Sequence, residues 1–266
     1  MGDVSHLYPL TSALSPRIEV RASTGSTNDD LVSAVAAEPG AWPHLSVLLT
    51  GDQRAGRGRR DRVWVAPAGA ALAVSVLVRV PGIPVAARGW IPLAAGAAMT
   101  RAVAAQAAPA GHSVALKWPN DVLVDGRKIC GILAAGVPGA ADAVVVGAGV
   151  NTRMTPAELP VPTATSFAAV GLEAAEDRLV ADFVGALAEQ LAAIADARGD
   201  ASAAGVRGEV EALCATLGAD VRVSLPDGSE LVGRAVRIDA TGRLVVDAAG
   251  GESAVSAGDV THVRPV

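Results

Sequence analysis

The segment Lys117–Leu133 reads KWPNDVLVDGRKICGIL and decides the fold of the central part of the chain. Two apolar runs flank the pair Asp125-Gly126, and an Asp-Gly pair between such runs is a strong signal for a β-hairpin turn. Pro119 cannot donate a hydrogen bond to a β-ladder, so it predicts a fixed turn before the hairpin. We therefore predict three successive short strands, at residues 114–117, 122–124 and 128–134.

The same segment holds both lysines of a chain whose other basic side chains are arginine. Lys117, Asn120 and Asp121 surround the proline, and an ammonium, an amide and a carboxylate could together hold phosphates, an adenine edge and Mg²⁺. Lys128 follows the turn, and Gly131 within a strand indicates the close approach of a ligand or another backbone. Taken alone, this string is better explained as an ordinary Asn-Asp turn at the end of a strand.

The remainder of the first 217 residues alternates helical patterns with short apolar runs. Acidic residues after Ser26-Thr27-Asn28, and the later pair Pro39-Gly40, predict the start and the end of the first helix. Helices are predicted at residues 26–38, 92–108, 178–197 and 208–217, and further strands at 45–50, 63–65, 71–80 and 143–150. This mixture predicts an α/β domain, of the α+β kind, over residues 1–217.

From about Ala219 the sequence changes to short alternating strands separated by tight turns. About fifty residues of this pattern are typical of a small SH3-like β-barrel. We therefore place a domain boundary near Leu217 and predict a second domain over residues 218–266.

Composition excludes several classes of protein. The chain has 266 residues, of which 51% are hydrophobic and only 3% aromatic, so a large aliphatic core is expected. A net charge of −5 argues against binding nucleic acid through bulk electrostatics, so no DNA partner is expected. The two cysteines have no disulfide or metal spacing, and neither a signal peptide nor a membrane span is evident. We therefore expect a protein of the reducing cytoplasm.

An arginine-rich loop is the second candidate site. Residues Gly56–Trp64 read GRGRRDRVW, and the first seven of them include four arginines. Glycine lets the backbone approach a ligand closely, and arginine binds phosphate or carboxylate through two parallel hydrogen bonds. The loop therefore predicts a cradle for a small anion. A solvated basic turn or a nucleic-acid patch is the alternative.

Ser26, Thr27 and Asn28 form the third candidate, because their short side chains could bind a neutral polar ligand while Thr27 or Asn28 caps the helix. The stretch Val144–Asn151, VVVGAGVN, lacks the third glycine of a dinucleotide fingerprint and is not interpreted as one. The four histidines are scattered, and no Ser-His-Asp or Cys-His arrangement can be proposed. Many cations without a nucleophile indicate electrostatic stabilisation of a phosphoryl or acyl-phosphate transition state.

Taken in order, Ser26-Thr27-Asn28, Gln53 with GRGRR, KWPND, and Lys128 with GIL resemble the biotin–protein ligases. The resemblance covers roughly residues 20–266, and the lack of a helix-turn-helix pattern before Ser26 is similar to the short, non-repressor class. It implies a catalytic domain of the biotin/lipoate ligase type, with a mixed sheet and helices, followed by the barrel.

The family resemblance also implies a two-step reaction. Biotin attacks the α-phosphate of MgATP to give biotinyl-5′-AMP and pyrophosphate. A lysine of a biotin carboxyl carrier domain of an acyl-CoA carboxylase then attacks the mixed anhydride and releases AMP. ATP and Mg²⁺ are the implied cofactors, and biotin and the carrier domain the implied partners.

Carried over to this chain, the resemblance assigns a role to each candidate residue. Biotin would be bound by Ser26, Thr27, Asn28, Gln53, Gly56, Arg57, Gly58, Arg59, Lys128 and Gly131. ATP and the adenylate would be bound by Arg59, Arg62, Trp64, Lys117, Asn120, Lys128 and Asn151. Lys128 and Arg59 would be catalytic, and Asp121 is the candidate ligand of Mg²⁺. The chain departs from the family at Asp61, where the loop commonly carries Gly, and it has no tryptophan in the loop after Asn151.

Two alternatives come from different classes. A lipoate ligase or octanoyl transferase shares the fold and also acylates a lysine, but the GRGRR loop and the KWPND run weigh against it. A nucleic-acid-binding regulator could use the arginine loop, but the acidic composition and the absence of a recognition-helix pattern weigh against that reading.

Overall fold

The computed structural model describes residues 7–59, 62–225, 228–256 and 259–262. Its helices are α1 (Pro9–Ser12), α2 (Thr27–Ala37), α3 (Trp90–Ala107), α4 (Glu176–Asp196) and α5 (Val206–Leu213). The strands of the first 151 residues are β1 (Ile18–Arg21), β2 (Val47–Thr50), β3 (Gly56–Arg57), β4 (Val63–Trp64), β5 (Ala71–Arg79), β6 (Val114–Lys117), β7 (Asp121–Val124), β8 (Arg127–Val137) and β9 (Ala140–Asn151). The later strands are β10 (Asp220–Ser224), β11 (Glu230–Ile238), β12 (Leu244–Ala248), β13 (Gly251–Val255) and β14 (Asp259–His262).

Seven strands form the main sheet in the order β1-β2-β5-β9-β8-β7-β6. Strands β1 and β2 run parallel, and the other neighbouring pairs run antiparallel. The predicted mixed sheet with helices is therefore confirmed, and the predicted hairpin at Asp125-Gly126 joins β7 to β8.

Both faces of the main sheet are covered. Because successive side chains of a strand point to opposite sides, one strand contributes to two hydrophobic cores. Val74 and Val76 of β5 belong to the larger core, which also contains residues of α3 and α4. Leu77 of β5 and Val145 of β9 point the other way, into a smaller core with Leu31 of α2. Helix α2 thus packs on the face that carries the candidate site.

The last five strands form an antiparallel sheet in the order β13-β12-β11-β10-β14, as the SH3-like pattern predicts. Its β11–β12 turn contacts the first unit through two buried tryptophans. The Nε1 of Trp90 donates to the carbonyl of Ala240 at 2.8 Å, and the Nε1 of Trp118 donates to that of Gly242 at 3.2 Å. The backbone N–H of Trp118 donates to Thr216 Oγ1 at 3.0 Å.

Three local expectations differ from the structure. Helix α1 and strand β1 were not predicted, because four-residue elements carry too few residues to show a periodicity. Ser26, and not Thr27 or Asn28, caps α2, since its side chain accepts from Asp29 N at 3.3 Å. Helix α5 ends at Leu213 and not at 217, because the following residue, Cys214, forms an isolated bridge with Leu116 of β6.

Both cysteines are free and buried, and burial raises the pKa of the Cys130 and Cys214 thiols. Because only the thiolate reacts, we expect Ellman's reagent at pH 8 to label neither thiol in the native protein. Both should react once the chain is unfolded in guanidinium chloride. Rapid labelling of the native protein would show that one thiol is accessible.

Within the described residues, no helix is long and apolar enough to cross a membrane.

Candidate active site

A cleft opens on the α2 face of the main sheet, where the side chains of four adjacent strands become small. Opposite Leu77 in the strand register lies Val145, and two residues further along the strands Ser75 faces Gly147. The next row across the sheet consists of Thr50, Ala73, Gly149 and Gly131. The lost side-chain volume leaves a cavity of about 160 Å³, whereas a single water needs roughly 10–15 Å³ in this measure.

The N-terminus of α2 closes one end of the cleft with a hydrogen-bond network. Gln53 Oε1 accepts from the backbone N–H of Thr27 at 2.9 Å and lies 3.2 Å from its hydroxyl. Ser75 Oγ lies 2.8 Å from Thr27 Oγ1 and 2.6 Å from Asn28 Oδ1, and Asn28 Nδ2 donates to the carbonyl of Leu133 at 2.9 Å. These neutral donors and acceptors fix one another, so they are preorganised for a neutral polar ligand.

Asn28 can occupy this position because Gly147 lies beneath it. A Cβ on Gly147 would lie 2.6 Å from Asn28 Cγ, closer than real Cβ contacts come. Gly149 plays the same part for the indole of Trp64, since a Cβ there would lie 2.7 Å from its Cε2. The two strand glycines therefore leave room for the side chains of Asn28 and Trp64 on the sheet surface. Glycine inside a strand often marks such a close approach.

The arginine loop is the tip of the β3–β4 hairpin and lies over the cleft. Arg57 Nε lies 3.0 Å from Asp29 Oδ2, and Arg59 Nη1 donates to Asn120 Oδ1 at 3.4 Å. The amide of Gly58 donates to the carbonyl of Arg62 at 2.6 Å, and this bond holds the two ends of the loop together. Arg60 and the family departure at Asp61 lie outside the described residues.

The KWPND run forms the opposite wall. Lys117 ends β6, and a cis peptide bond joins Trp118 to Pro119. The turn is tied to β8 by Asn120, whose Nδ2 donates to the carbonyl of Ile132 at 2.8 Å and whose carbonyl accepts from the Ile132 amide at 2.8 Å. Trp118 is only 2% exposed, so it supports the wall from behind.

Lys128 reaches the cleft because of an irregularity in the β7–β8 ladder. Cys130 pairs with Val122, but Lys128 pairs with Leu123, so Ile129 is an extra residue on β8. A bulge of this kind re-aims the side chains that follow it. Lys128 Nζ lies 2.6 Å from Asp121 Oδ1 and 5.9 Å from the ring centroid of Trp64.

The charge of the cleft is opposite to that of the chain. The basic side chains that line it are Arg57, Arg59, Arg62, Lys117 and Lys128. Among the described lining residues the single carboxylate is that of Asp121. The described residues also contain no group of three or more potential metal ligands. The cleft is therefore suited to an anionic ligand, held beside the neutral network of α2.

The structure brings the predicted site residues together, except for two. All of them line the cleft apart from Gly56 and Asn151. Gly56 packs against Gln53 and the backbone of Trp64, where a side chain has no room. Asn151 is 3% exposed at the end of β9, and its Nδ2 donates to the carbonyl of Thr165 at 2.8 Å. The roles assigned to these residues stay predictions.

Sequence reasoning missed Ser75, Gly147 and Gly149. A signal was present, since the GAG of VVVGAGVN interrupts an otherwise apolar strand with two glycines that share one face. Ser75 likewise interrupts the apolar run of β5.

Two family models match separate parts of the chain. The model described as "Biotin/lipoate A/B protein ligase family" matches residues 23–151, and "Biotin protein ligase C terminal domain" matches residues 216–263. The biotin–[acetyl-CoA-carboxylase] ligase of Mycobacterium tuberculosis is 41% identical over 249 residues, which cover 93% of this chain and 90% of that protein. The protein of the same description from Paracoccus denitrificans is 39% identical over 138 residues, covering 51% of this chain and 54% of that protein.

The fold is similar to solved structures. The biotin protein ligase of Aquifex aeolicus in complex with biotin and ATP superposes with a TM-score of 0.74 at 20% identity, covering 94% of this chain and 99% of that one. The Leishmania major ligase in complex with biotinyl-5′-AMP gives 0.59 at 23% identity, covering 91% and 99%. At these identities the superpositions show the fold alone. Together with the relative that is alike over nearly the whole chain, they establish that this chain belongs to the biotin protein ligase family.

Proposed function

We propose that the chain activates biotin with ATP to give biotinyl-5′-AMP and pyrophosphate, and then transfers biotin to a lysine of a biotin carboxyl carrier domain. The observation that carries this proposal is one cleft in which a neutral hydrogen-bond network adjoins a cluster of cations. A ureido ring needs both donors and an acceptor, and a transferring phosphoryl group needs positive charge. The names of the relatives favour biotin as the acid and acetyl-CoA carboxylase as the acceptor.

We place the ureido ring of biotin at the network of Thr27, Asn28 and Ser75, above the floor at Gly147. The valeryl chain would then run along the sheet toward Lys128, whose ammonium meets the carboxylate and the α-phosphate. Lys117 and Asn120 lie on the nucleotide side, together with Arg59 and Arg62 of the loop. Trp64 lies between the two halves of the cleft, over Gly149, and is the candidate to cover the adenylate.

Magnesium would reach this site on the triphosphate. Mg²⁺ usually keeps several waters and takes one or two carboxylates together with substrate phosphates. Asp121, the predicted protein ligand, is paired with Lys128 at 2.6 Å, so the ion would be held by the triphosphate and water, and the ligand role of Asp121 stays a prediction. Bound there, the ion would neutralise phosphate charge.

We also propose the domain boundary near Leu217 and, because the reaction consumes ATP, a cytoplasmic location.

The proposal is tested by biotin-dependent exchange of labelled pyrophosphate into ATP, with Mg²⁺ and without any carrier protein. We expect exchange with biotin and little with lipoate or octanoate. Exchange with lipoate alone would establish the alternative ligase of the same fold. No exchange by folded protein with any of the three acids would exclude an adenylating ligase.

Arg59 is expected to retain the adenylate, since it bridges the arginine loop to Asn120 across the cleft. Arg59→Gly should therefore release biotinyl-5′-AMP, because the loop loses this link and a guanidinium that can hold the phosphate. The measurement is the biotinylation of a bystander protein such as serum albumin during turnover. Arg54→Gly is the matched control, because the exposed Arg54 pairs with Asp52, two residues away. Labelling confined to the carrier domain would contradict the assignment.

A further inference from the structure

We infer that Asp121 is a positioning residue for Lys128, an inference that rests on the proposed adenylation. The two side chains form an ion pair at 2.6 Å at the floor of the cleft. The side chain of Asp121 is 20% exposed and that of Lys128 is 36% exposed, so the pair is partly withdrawn from water. A four-carbon stem with a flexible end is thereby fixed at one place, and its carboxylate partner does not need to touch either substrate.

The backbone is arranged to make this contact. Asp121 pairs with Gly131 across the β7–β8 ladder. On a regular strand, side chains three positions apart, such as those at 131 and 128, point to opposite faces. The extra residue Ile129 cancels that alternation, so Lys128 returns to the face of Asp121, while Ile129 itself is buried in the large core. In a regular ladder, Lys128 would point away from its partner.

The third observation is the space that Gly131 leaves. A Cβ on Gly131 would lie 3.1 Å from Lys128 Nζ and 3.7 Å from Asp121 Oδ1. The ion pair therefore lies directly over this glycine, in a position that a side chain would crowd. The bulge, the glycine and the carboxylate thus all act on the position of one ammonium group. That position matters because a displacement of about 1 Å at a reacting centre can cost on the order of 100-fold in rate.

The inference gives a kinetic signature for Asp121→Asn. The variant removes a negative charge from a cleft that must bind a carboxylate and a triphosphate, so the KM for biotin should stay the same or fall. The ammonium is no longer held in place, so kcat for adenylate formation should fall by about 10- to 100-fold. Asp121→Glu, which keeps the charge, should recover part of the rate. Asp125→Asn is the matched control, because it makes the same change at the exposed turn of the same hairpin.

The experiment is single-turnover formation of labelled biotinyl-5′-AMP by wild type, Asp121→Asn, Lys128→Ala and the double variant, over a range of Mg²⁺ concentrations. A positioning residue has nothing to position without Lys128, so Asp121→Asn should cost no further rate in the Lys128→Ala background. A further loss there, recovery of Asp121→Asn at high Mg²⁺, raised KM values with a lowered Tm, or an unchanged kcat would each overturn the inference. An inactive wild type would instead refute the adenylation on which it rests.

Discussion

Lys128→Ala is expected to slow adenylate formation by about 100- to 1,000-fold, the usual cost of deleting one preorganised group that stabilises transition-state charge. The ammonium lies at the floor of the cleft, and its side chain remains 36% exposed, so it contributes little packing. The Tm should therefore change by less than about 4 °C, the shift that ~1 kcal/mol produces in a protein of this size.

The measurement is the single-turnover rate of biotinyl-5′-AMP formation, with thermal unfolding followed on the same samples. Arg127→Ala is the control, because this exposed neighbour on β8 does not line the cleft. Near wild-type rates for Lys128→Ala would remove Lys128 from the mechanism. A large fall in Tm would mean that the lost rate reflects damage to the fold.

The second large effect is expected at the floor of the cleft. Gly147→Ala places a Cβ where Asn28 now lies, so Asn28 must move and lose its bonds to Ser75 and the Leu133 carbonyl. The displaced amide can then no longer bind the ureido ring that we place beside it, and losing one or two hydrogen bonds to the ligand, at about 1–1.5 kcal/mol each, corresponds to a fall in biotin affinity of roughly 5- to 150-fold. Isothermal titration with biotin measures it directly.

Gly136→Ala is the matched control for this prediction. Gly136 is also a strand glycine, but a Cβ built there meets nothing within 4 Å. We expect its affinity for biotin to equal that of the wild type. Unchanged affinity in Gly147→Ala would mean that biotin binds without the network of Asn28.

Much of this architecture could be predicted from local signals. The Asp-Gly turn, the apolar runs and the composition change near residue 219 place the hairpin, the mixed sheet and the barrel. The candidate residues came from short motifs, and the fold brings nearly all of them to one cleft. The bulge at Ile129 could not be predicted, because an extra residue in a strand is visible only when the register of its partner is known.

The small residues of the cleft floor illustrate the same limit. Ala73, Gly149 and Gly131 are far apart in sequence and become one row only when β5, β9 and β8 are neighbours. The sequence of a single strand shows where a side chain is missing. Predicting a cavity also requires knowing which strands are neighbours in the sheet. The shape of the binding site is therefore a property of topology, and the motifs identify its chemistry.

The two tryptophans that hold the barrel turn also bear on how the protein is made. Trp118 depends on Thr216, 98 residues later, and on Gly242, 124 residues later, while Trp90 depends on Ala240 at a distance of 150 residues. The wall at Asn120 therefore receives its support only after the ribosome has delivered nearly the whole chain. Contacts of such long range slow folding. We therefore expect the cleft wall to be completed only after the barrel turn has packed against these two tryptophans.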